Sequence, residues 1–414
     1  MKIMKKLLFF LLIIISPRLA KAQAFATGYV GDKQNAMGGA GTGLALDAAS
    51  MSLNPATISF LQENSVSLGG AAAVTNTAYL DANNYSLSRT SNPIGTPFHA
   101  QAVYGVKDSL SALYKFKFGL GITTPYGGNI KYASDWTGNN AIISKNLASI
   151  AFAPTASYKI TDQLSFGASF VYSMSTLKVE SAVASASIGS TSELNFTQRG
   201  FGFGAGIYYK PIPKLSIGLG YLSQVNSKSF KGTAKFNVPS SIASQFPTGK
   251  ATFNSSVPQG ISLGAGYEIS DKLLLALDVT YSMWSCFKTT TFTYTDATDA
   301  SAVKSTVLPN NYKDVFTVGI GGQYKIIDKL VARAGVSYNQ TPVPKDYVYP
   351  DVPDADRLNL SAGVSYSITQ KFSVDVSYKF TDIMKRKSTN VSTNMTGTYQ
   401  TYAHMTGLTL NYNF

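Results

Sequence analysis

The chain has 414 residues, 44% of them hydrophobic and only 14% charged, with 25 tyrosines, 23 phenylalanines and a formal net charge of +13. A single cysteine, Cys286, excludes a disulfide framework, and with only two histidines, His99 and His404, neither a metal site nor a cofactor is expected. The basic residues are scattered, without the aromatic-interleaved clusters that nucleic-acid binding needs, so nucleic acid is not an expected partner.

Lys2, Lys5 and Lys6 precede the apolar run from Leu7 to Ile15; Pro17 breaks that run, and Ala20-Lys21-Ala22 offers a cleavage site. The pattern predicts a secretory signal peptide over 1–22. Nine apolar residues are too few to cross a bilayer, which takes about 20. Without the leader's basic residues (Lys2, Lys5, Lys6, Arg18, Lys21), 30 basic residues face 22 acidic ones, a mature net charge of +8. No later apolar run approaches the ~18 residues of a membrane helix.

Residues 23–62 do not alternate. "NAMGGAGTGLALDAASMSLNPATISFL" reads as glycine-rich coil followed by short helices. No strand precedes Gly38, Gly39, Gly41 and Gly43, which argues against a dinucleotide-binding loop. Asn54 suits a helix N-cap, and Pro55 suits the first turn, where its missing N–H is not needed.

From residue 63 the period becomes two. Fourteen strands are predicted: 64–74, 99–107, 115–124, 147–160, 163–180, 193–210, 214–236, 258–269, 273–294, 312–326, 329–341, 356–368, 371–386 and 398–414. In "GYEISDKLLLALDVTY" (266–281), Leu273, Leu275, Leu277, Val279 and Tyr281 share one face, and a three-residue polar turn leads into them. "SYKITDQLSFGASFVY", "YYKPIPKLSIGLGY", "QYKIIDKLVARAGVSY" and "SYSITQKFSVDVSY" repeat that plan: a tyrosine, a short turn, and an alternating strand reaching a second tyrosine. These are hairpins with tight turns on one side. Longer polar connections fall near 75–98, 125–146, 237–257, 295–311 and 342–355.

One face of each strand is large and apolar; the other is small or polar. Phe201, Phe203, Ala205, Ile207 and Tyr209 alternate with Gly202, Gly204, Gly206 and Tyr208. A soluble sandwich would need a second apolar layer of matching size, and the chain has none. Lipid supplies it, and ring closure removes the sheet edges. The expected fold is therefore all-β, a 14-stranded antiparallel transmembrane β-barrel over 63–414. Eight strands is about the width that wall side chains alone fill, so 23–62 is expected as a plug containing short helices. Register places Asp278, Arg333, Asp375 and Lys379 on the lumen side, as plug or ligand contacts. The chain ends "GLTLNYNF", and its terminal Phe414 resembles the signal read by the outer-membrane barrel-assembly machinery.

Several stretches together resemble the FadL-type outer-membrane transporters of long-chain fatty acids and other hydrophobic compounds. They are "GGAGTGLALDAASMSLNPATISFL" with Asn54, Pro55 and Ala56, "FGLGITTPYGGNIKYASDWTG" with Pro125-Tyr126-Gly127, "YSMWSCF", "NYKDVFTVGIGGQY", "RAGVSYNQTPVP" and "PDADRLNLSAGVSY". The resemblance implies a Gram-negative outer-membrane location, a hydrophobic ligand, plug rearrangement and sideways release into lipid through a gap at a kink in the third strand. Gly119 and Gly121 are where that kink and a break in strand pairing are expected. The basic residues that meet the ligand carboxylate in the family do not map cleanly onto this chain, where Leu308-Pro309 stands ahead of "NYKDVF", so fatty acids and hydrocarbons both stay open. A monomer is expected. The rival readings are a general diffusion porin or a structural barrel. An enzyme is not expected: neither histidine sits in a recognisable triad, and no G-x-S-x-G occurs.

Overall fold

Alternation closes into a ring. In the computed structural model, which describes residues 26–183, 189–227, 230–254, 257–297 and 302–414, fourteen wall strands run β1 (Ser65–Asp81), β2 (Phe98–Gly105), β3 (Phe116–Thr123), β4 (Ser144–Lys159), β5 (Leu164–Ala182), β6 (Thr191–Ile212), β7 (Leu215–Leu222), β8 (Gly260–Glu268), β9 (Leu273–Ser282), β10 (Val315–Ile327), β11 (Leu330–Asn339), β12 (Arg357–Ser367), β13 (Phe372–Thr389) and β14 (Thr396–Asn413). Each pairs antiparallel with its chain neighbour, and β1 pairs with β14 from Ser65–Asn413 to Asp81–Gly397, so the sheet has no free wall edge. The predicted leader lies outside the described residues.

The β8–β9 hairpin shows how sequence sets the two faces. Leu263 pairs with Val279, Tyr267 with Leu275, and Gly264 with Asp278. Leu263, Tyr267, Leu275 and Leu277 are exposed, while Asp278 is buried. The same outward belt continues through Phe166, Phe203, Ile320, Leu360, Val376 and Leu408. An apolar surface that encircles the molecule is far larger than the few hundred Å² a water-soluble monomer exposes, so it faces lipid.

Two predicted strands break where single strands were expected. The stretch 214–236 is divided into β7 and a separate strand Phe230–Asn237, and 273–294 into β9, a 3-10 turn Trp284–Cys286 and a strand Thr289–Tyr294. Parity explains both. Val225 and Phe230 are both buried, as are Trp284 and Phe287, yet each pair combines an even and an odd position. A straight strand would point one of each pair outward. The second bend instead lays Trp284 and Phe287 on Tyr312, with ring centroids 5.9 and 4.8 Å away. Strand β1 runs longer than expected, because Thr77 to Asp81 keep pairing with β14 above the apolar belt.

Residues 26–62 lie against the inner face of the wall. A short helix, Asp32–Ala36, touches β11 to β14, and the 3-10 turn Pro55–Phe60 touches β3 to β6 on the other side of the ring. Glycine makes the fit possible. A Cβ on Gly218 would overlap the Thr42 carbonyl oxygen, one on Gly335 would overlap Met37 and Gly38, and one on Gly319 would stand 2.7 Å from the Gly38 oxygen. The small inward residues read from the sequence are thus the seat on which this segment's backbone rests.

At the opposite end, Tyr79, Tyr132, Trp136, Trp284, Tyr312 and Tyr399 form an apolar cluster with Val343, Val348 and Val352 of the connection after β11. That connection is tied down by Thr341 Oγ1 donating to Asp354 (2.6 Å), Arg386 donating to the carbonyls of Asp354 (2.9 Å) and Val343 (2.8 Å), and a Lys145–Asp351 ion pair (2.7 Å).

Candidate functional site

Asn54 starts the inner segment's second 3-10 turn. Its Oδ1 accepts from Ala56 N (3.0 Å), and its amide donates to the carbonyls of Thr42 (3.0 Å) and Ile207 (2.9 Å). It therefore caps a turn and fastens it to the wall at once. Pro55 follows with no N–H to satisfy. Ala56 is fully buried, and its carbonyl accepts from Ser165 Oγ (2.8 Å) and Ser157 Oγ (3.2 Å) of the wall.

Two of the four predicted lumen charges, Asp278 and Asp375, reach this segment, and a third, Arg333, braces Asp375 through Ser365. Asp278 Oδ2 accepts the N–H groups of Gly41 (3.0 Å) and Thr42 (2.8 Å). Arg333 donates to Gln323 Oε1 (2.8 Å) and to Ser365, which in turn donates to Asp375. Asp375 also accepts from Asn411 (2.7 Å) and lies 3.8 Å from Lys33, whose amine is 3.3 Å from Asp47. Burial would raise the Asp47 carboxyl, but Lys33 and the Gln34 amide outweigh it and hold the group below the ordinary carboxylate range.

The sequence did not disclose a second anchor. Asp32 is buried and accepts from Ser377, from Thr409 Oγ1 (2.6 Å) and from Tyr29 OH (3.1 Å). Burial pushes its carboxyl above the usual range, and the three hydroxyl donors oppose that. Since Thr409 gives its only proton to Asp32, it receives one from His99 Nε2 at 3.1 Å. His99 is fully buried inside the wall, whereas His404 is exposed outside it and pairs with Tyr378 OH (2.7 Å).

Removing the Asp278 carboxylate leaves the Gly41 and Thr42 N–H groups unpaired inside the barrel, at about 1–3 kcal/mol for each such group. Asp278→Ala is expected to speed amide hydrogen exchange across 38–44 while the wall strands stay protected. Unchanged exchange there would show that the contact does not hold the segment.

Lys379 differs from the other three. It faces inward between outward Tyr378 and half-buried Phe380, lining a cavity of about 770 Å³ between the inner segment and the wall. No carboxylate lies within 4.0 Å of its amine among the described residues. Thr381, Asn359, Met405, Ala73 and the exposed Ile94 share the lining.

The expected kink at Gly119 and Gly121 is not there. Strand β3 pairs with β2 from Lys117 to Thr123 and with β4 from Phe116 to Thr123, and neither glycine has a positive φ. These glycines make room: a Cβ on Gly119 would stand 2.6 Å from Met51 Sδ, and one on Gly121 3.3 Å from Met51 Cε. The wall opens just beyond. After Thr123 the chain leaves β4 and turns to the inner segment: Thr27 Oγ1 donates to Thr124 O (2.8 Å), Thr27 N donates to Pro125 O (3.1 Å), and Ala26 bridges Tyr126. It rejoins β4 as the strand Gly127–Lys131. On the other side, Pro97 and Gly95 stay with β1, through Ala71 N to Pro97 O (2.8 Å) and Ala73 N to Gly95 O (2.8 Å). Among the described residues, contact between the two stretches resumes at Lys131, whose N–H donates to Asn92 Oδ1 (2.8 Å) and whose carbonyl accepts from Ser91 N (2.8 Å). Among the described residues, no backbone hydrogen bond crosses between 93–97 and 125–130, and the cavity reaches this gap at Ile94, Phe98, Tyr126 and Gly128. Pro125 has no N–H to strand there, and the carbonyls of Thr124 and Pro125 are satisfied from within, as a hole facing hydrocarbon requires.

Known proteins share this fold. The structure superposes on that of a Pseudomonas aeruginosa FadL homologue with a TM-score of 0.83 at 18% identity, covering 95% of this chain and all of the other. It superposes on the Pseudomonas putida toluene transporter TodX with a TM-score of 0.76 at 19% identity, covering 95% and 100%. In sequence, the chain is 24% identical over 418 residues to the long-chain fatty acid transport protein of Escherichia coli K12, covering 88% of this chain and 90% of that one. A model of the outer membrane protein transport proteins (OMPP1/FadL/TodX) matches residues 12–414. A closed barrel of fourteen strands, an inner segment seated on wall glycines and a match along nearly the whole length have one reading: the chain belongs to this family of outer-membrane transport proteins.

Proposed function

We propose that the protein moves hydrophobic small molecules, long-chain fatty acids or hydrocarbons, across the outer membrane and releases them sideways into lipid. The observation that carries this reading is one continuous cavity, running from the inner segment to a gap in the hydrogen-bonded wall. The relatives named above, a long-chain fatty acid transport protein and a toluene transporter, support the substrate class. So does the thermodynamics: at about 0.8 kcal/mol per CH₂, a sixteen-carbon chain would forfeit on the order of 12 kcal/mol by passing through periplasmic water.

In this reading 23–62 is the plug and 63–414 the barrel. Asn54, Pro55 and Ala56 set the plug's fold; Asp278, Arg333 and Asp375 hold it, and Lys379 meets the ligand. The mature chain acts as a monomer, and its last strand, ending at Phe414, is what the assembly machinery reads.

Cells lacking their own transporter should take up a labelled hydrophobic substrate when they express this chain, and the purified protein should conduct poorly in planar bilayers. Large steady currents without substrate uptake would favour a general porin instead.

A further inference from the structure

We propose that the outer face of β5, β6 and the strand Phe230–Asn237 is a binding site for a phosphorylated glycolipid of the surrounding leaflet, whose phosphates it holds on Lys178, Arg199 and Lys231. The inference is independent of what the barrel carries.

These strands outrun the lipid belt. Tyr172 pairs with Phe201 at the edge of the belt away from the tight turns, and their ring centroids are 5.2 Å apart. Beyond that pair the outward residues change character. Met174 stands opposite Arg199, then Thr176, Thr197 and Lys231 form one row across the three strands, and Lys178, Asn195 and Thr233 form the next. All of these side chains are exposed. The inward residues of the same strands, Leu177, Leu194, Phe196, Phe230 and Ala234, are packed in a buried cluster rich in aromatic rings. A sheet fixed from behind therefore turns a flat polar face toward the headgroups of the leaflet.

At about 4.8 Å between strands and roughly 7 Å between rows, Arg199 and Lys231 lie about 8 Å apart, and Lys231 and Lys178 about 12 Å. Thr197 sits among the three. Among the described residues none of these cations is in an ion pair. The acids on this face, Glu180 and Glu193, stand one row further out, beside Lys235. Cations grouped so closely repel one another until an anion comes between them, and Arg and Lys are the side chains that phosphate prefers. The hydroxyls of Thr176, Thr197 and Thr233 and the Asn195 amide fill the spaces between the charges with groups suited to a sugar.

Depth distinguishes a glycolipid from a phospholipid. Arg199 is two residues beyond Phe201, and Lys178 is six beyond Tyr172. With strands tilted near 40°, the cations stand about 5 to 15 Å past the edge of the belt. A phospholipid headgroup layer is only about 5–8 Å deep. A phosphorylated sugar headgroup is thick enough to reach all three.

The test is lipid titration of the detergent-solubilised full chain, read by mass spectrometry of the intact complexes. The probes are diphosphorylated lipid A, its dephosphorylated form and phosphatidylglycerol. Lipid A should bind at least tenfold more tightly than either of the others, and excess inorganic phosphate should not displace it. Combining Lys178→Gln, Arg199→Gln and Lys231→Gln should lower lipid A affinity at least tenfold while the folded barrel keeps its heat-modifiable mobility. The control combines Lys272→Gln, Lys329→Gln and Lys371→Gln, which removes the same charge from exposed lysines of the tight turns, and should change affinity less than twofold. Equal affinity for the dephosphorylated lipid or for phosphatidylglycerol, displacement by inorganic phosphate, or equal losses in the two triple variants would overturn the proposal. Each of these outcomes leaves the transport reading standing.

Discussion

Replacing Gly218 with valine is expected to dislodge the plug and turn a poorly conducting barrel into an open pore. Gly218 is held in the ladder on both sides, opposite Tyr208 of β6 and Gly264 of β8, so its backbone cannot retreat. A Cβ there would occupy the place of the Thr42 carbonyl oxygen and stand 2.8 Å from Asn54 Nδ2. The plug must give way, because its backbone is less strongly fixed than a doubly paired strand. Overpacking of this kind costs about 1–3 kcal/mol in a soluble core. Thr42 is also fastened to Asp278 and to Asn54, so those hydrogen bonds go with it. Adding Gly335→Val, against Met37 and Gly38 on the other side, should release the plug at both ends. The measurement is single-channel conductance beside the heat-modifiable mobility of the folded barrel. Gly204→Ala is the control, since its Cβ would meet only wall atoms, at 3.6 Å or more. A folded double variant that conducts no better than the control would show that wall glycines do not set the seat.

The same glycines mark the boundary of what could be read from sequence. Alternation identified every wall strand, because lipid outside and a narrow lumen inside impose period two on each. It also placed Asp278, Arg333, Asp375 and Lys379 inward, since facing depends only on parity. What parity cannot give is the object on the inner side. Small residues at 218, 264, 319 and 335 were visible as a pattern, but the plug atoms they accommodate lie far away in the chain. The Asp32 anchor was hidden for the same reason: its partners Ser377 and Thr409 are 345 and 377 residues distant, and the plug has no periodicity of its own. At the mouth the pattern itself failed. There water replaces lipid, and burial of Trp284 and Phe287 on one cluster outweighs straight strand geometry.

The gap shows a different kind of error, in which the physical argument held and the residue choice did not. A hole in the wall had to turn its free backbone groups inward, and the carbonyls of Thr124 and Pro125 do so. Glycine was the expected pivot because it tolerates unusual angles, but at 119 and 121 its lack of a side chain serves Met51 instead. The pivot is Thr124-Pro125-Tyr126, where proline removes one donor and the plug's Thr27 answers two acceptors. The motif "TTPYGG" was in view as the start of a loop; nothing local says that the loop first bends inward.

Filling the gap should stop uptake without disturbing the barrel, and Gly128 is the place to do it. Gly128 lies in the short strand that rejoins β4, opposite Leu147, and lines the cavity at the gap. A Cβ there would meet nothing within 4 Å, so a side chain starts into open space. Its φ is not in the left-handed region, so a side chain brings no backbone strain. Gly128→Trp therefore puts an indole into the only route the proposed mechanism allows, at little expected cost to folding. Uptake of a hydrophobic substrate by cells should fall at least tenfold. Binding to the solubilised protein should change much less, because Lys379 and the inner part of the cavity lie on the far side of β1 and β14. That split between transport and binding separates a blocked exit from a damaged site. Gly128→Ala is the matched control and should transport normally. Normal uptake by a correctly assembled Gly128→Trp protein would mean that substrate leaves the barrel elsewhere, and the opening beside Tyr126 would then be a structural irregularity of the wall with no part in transport.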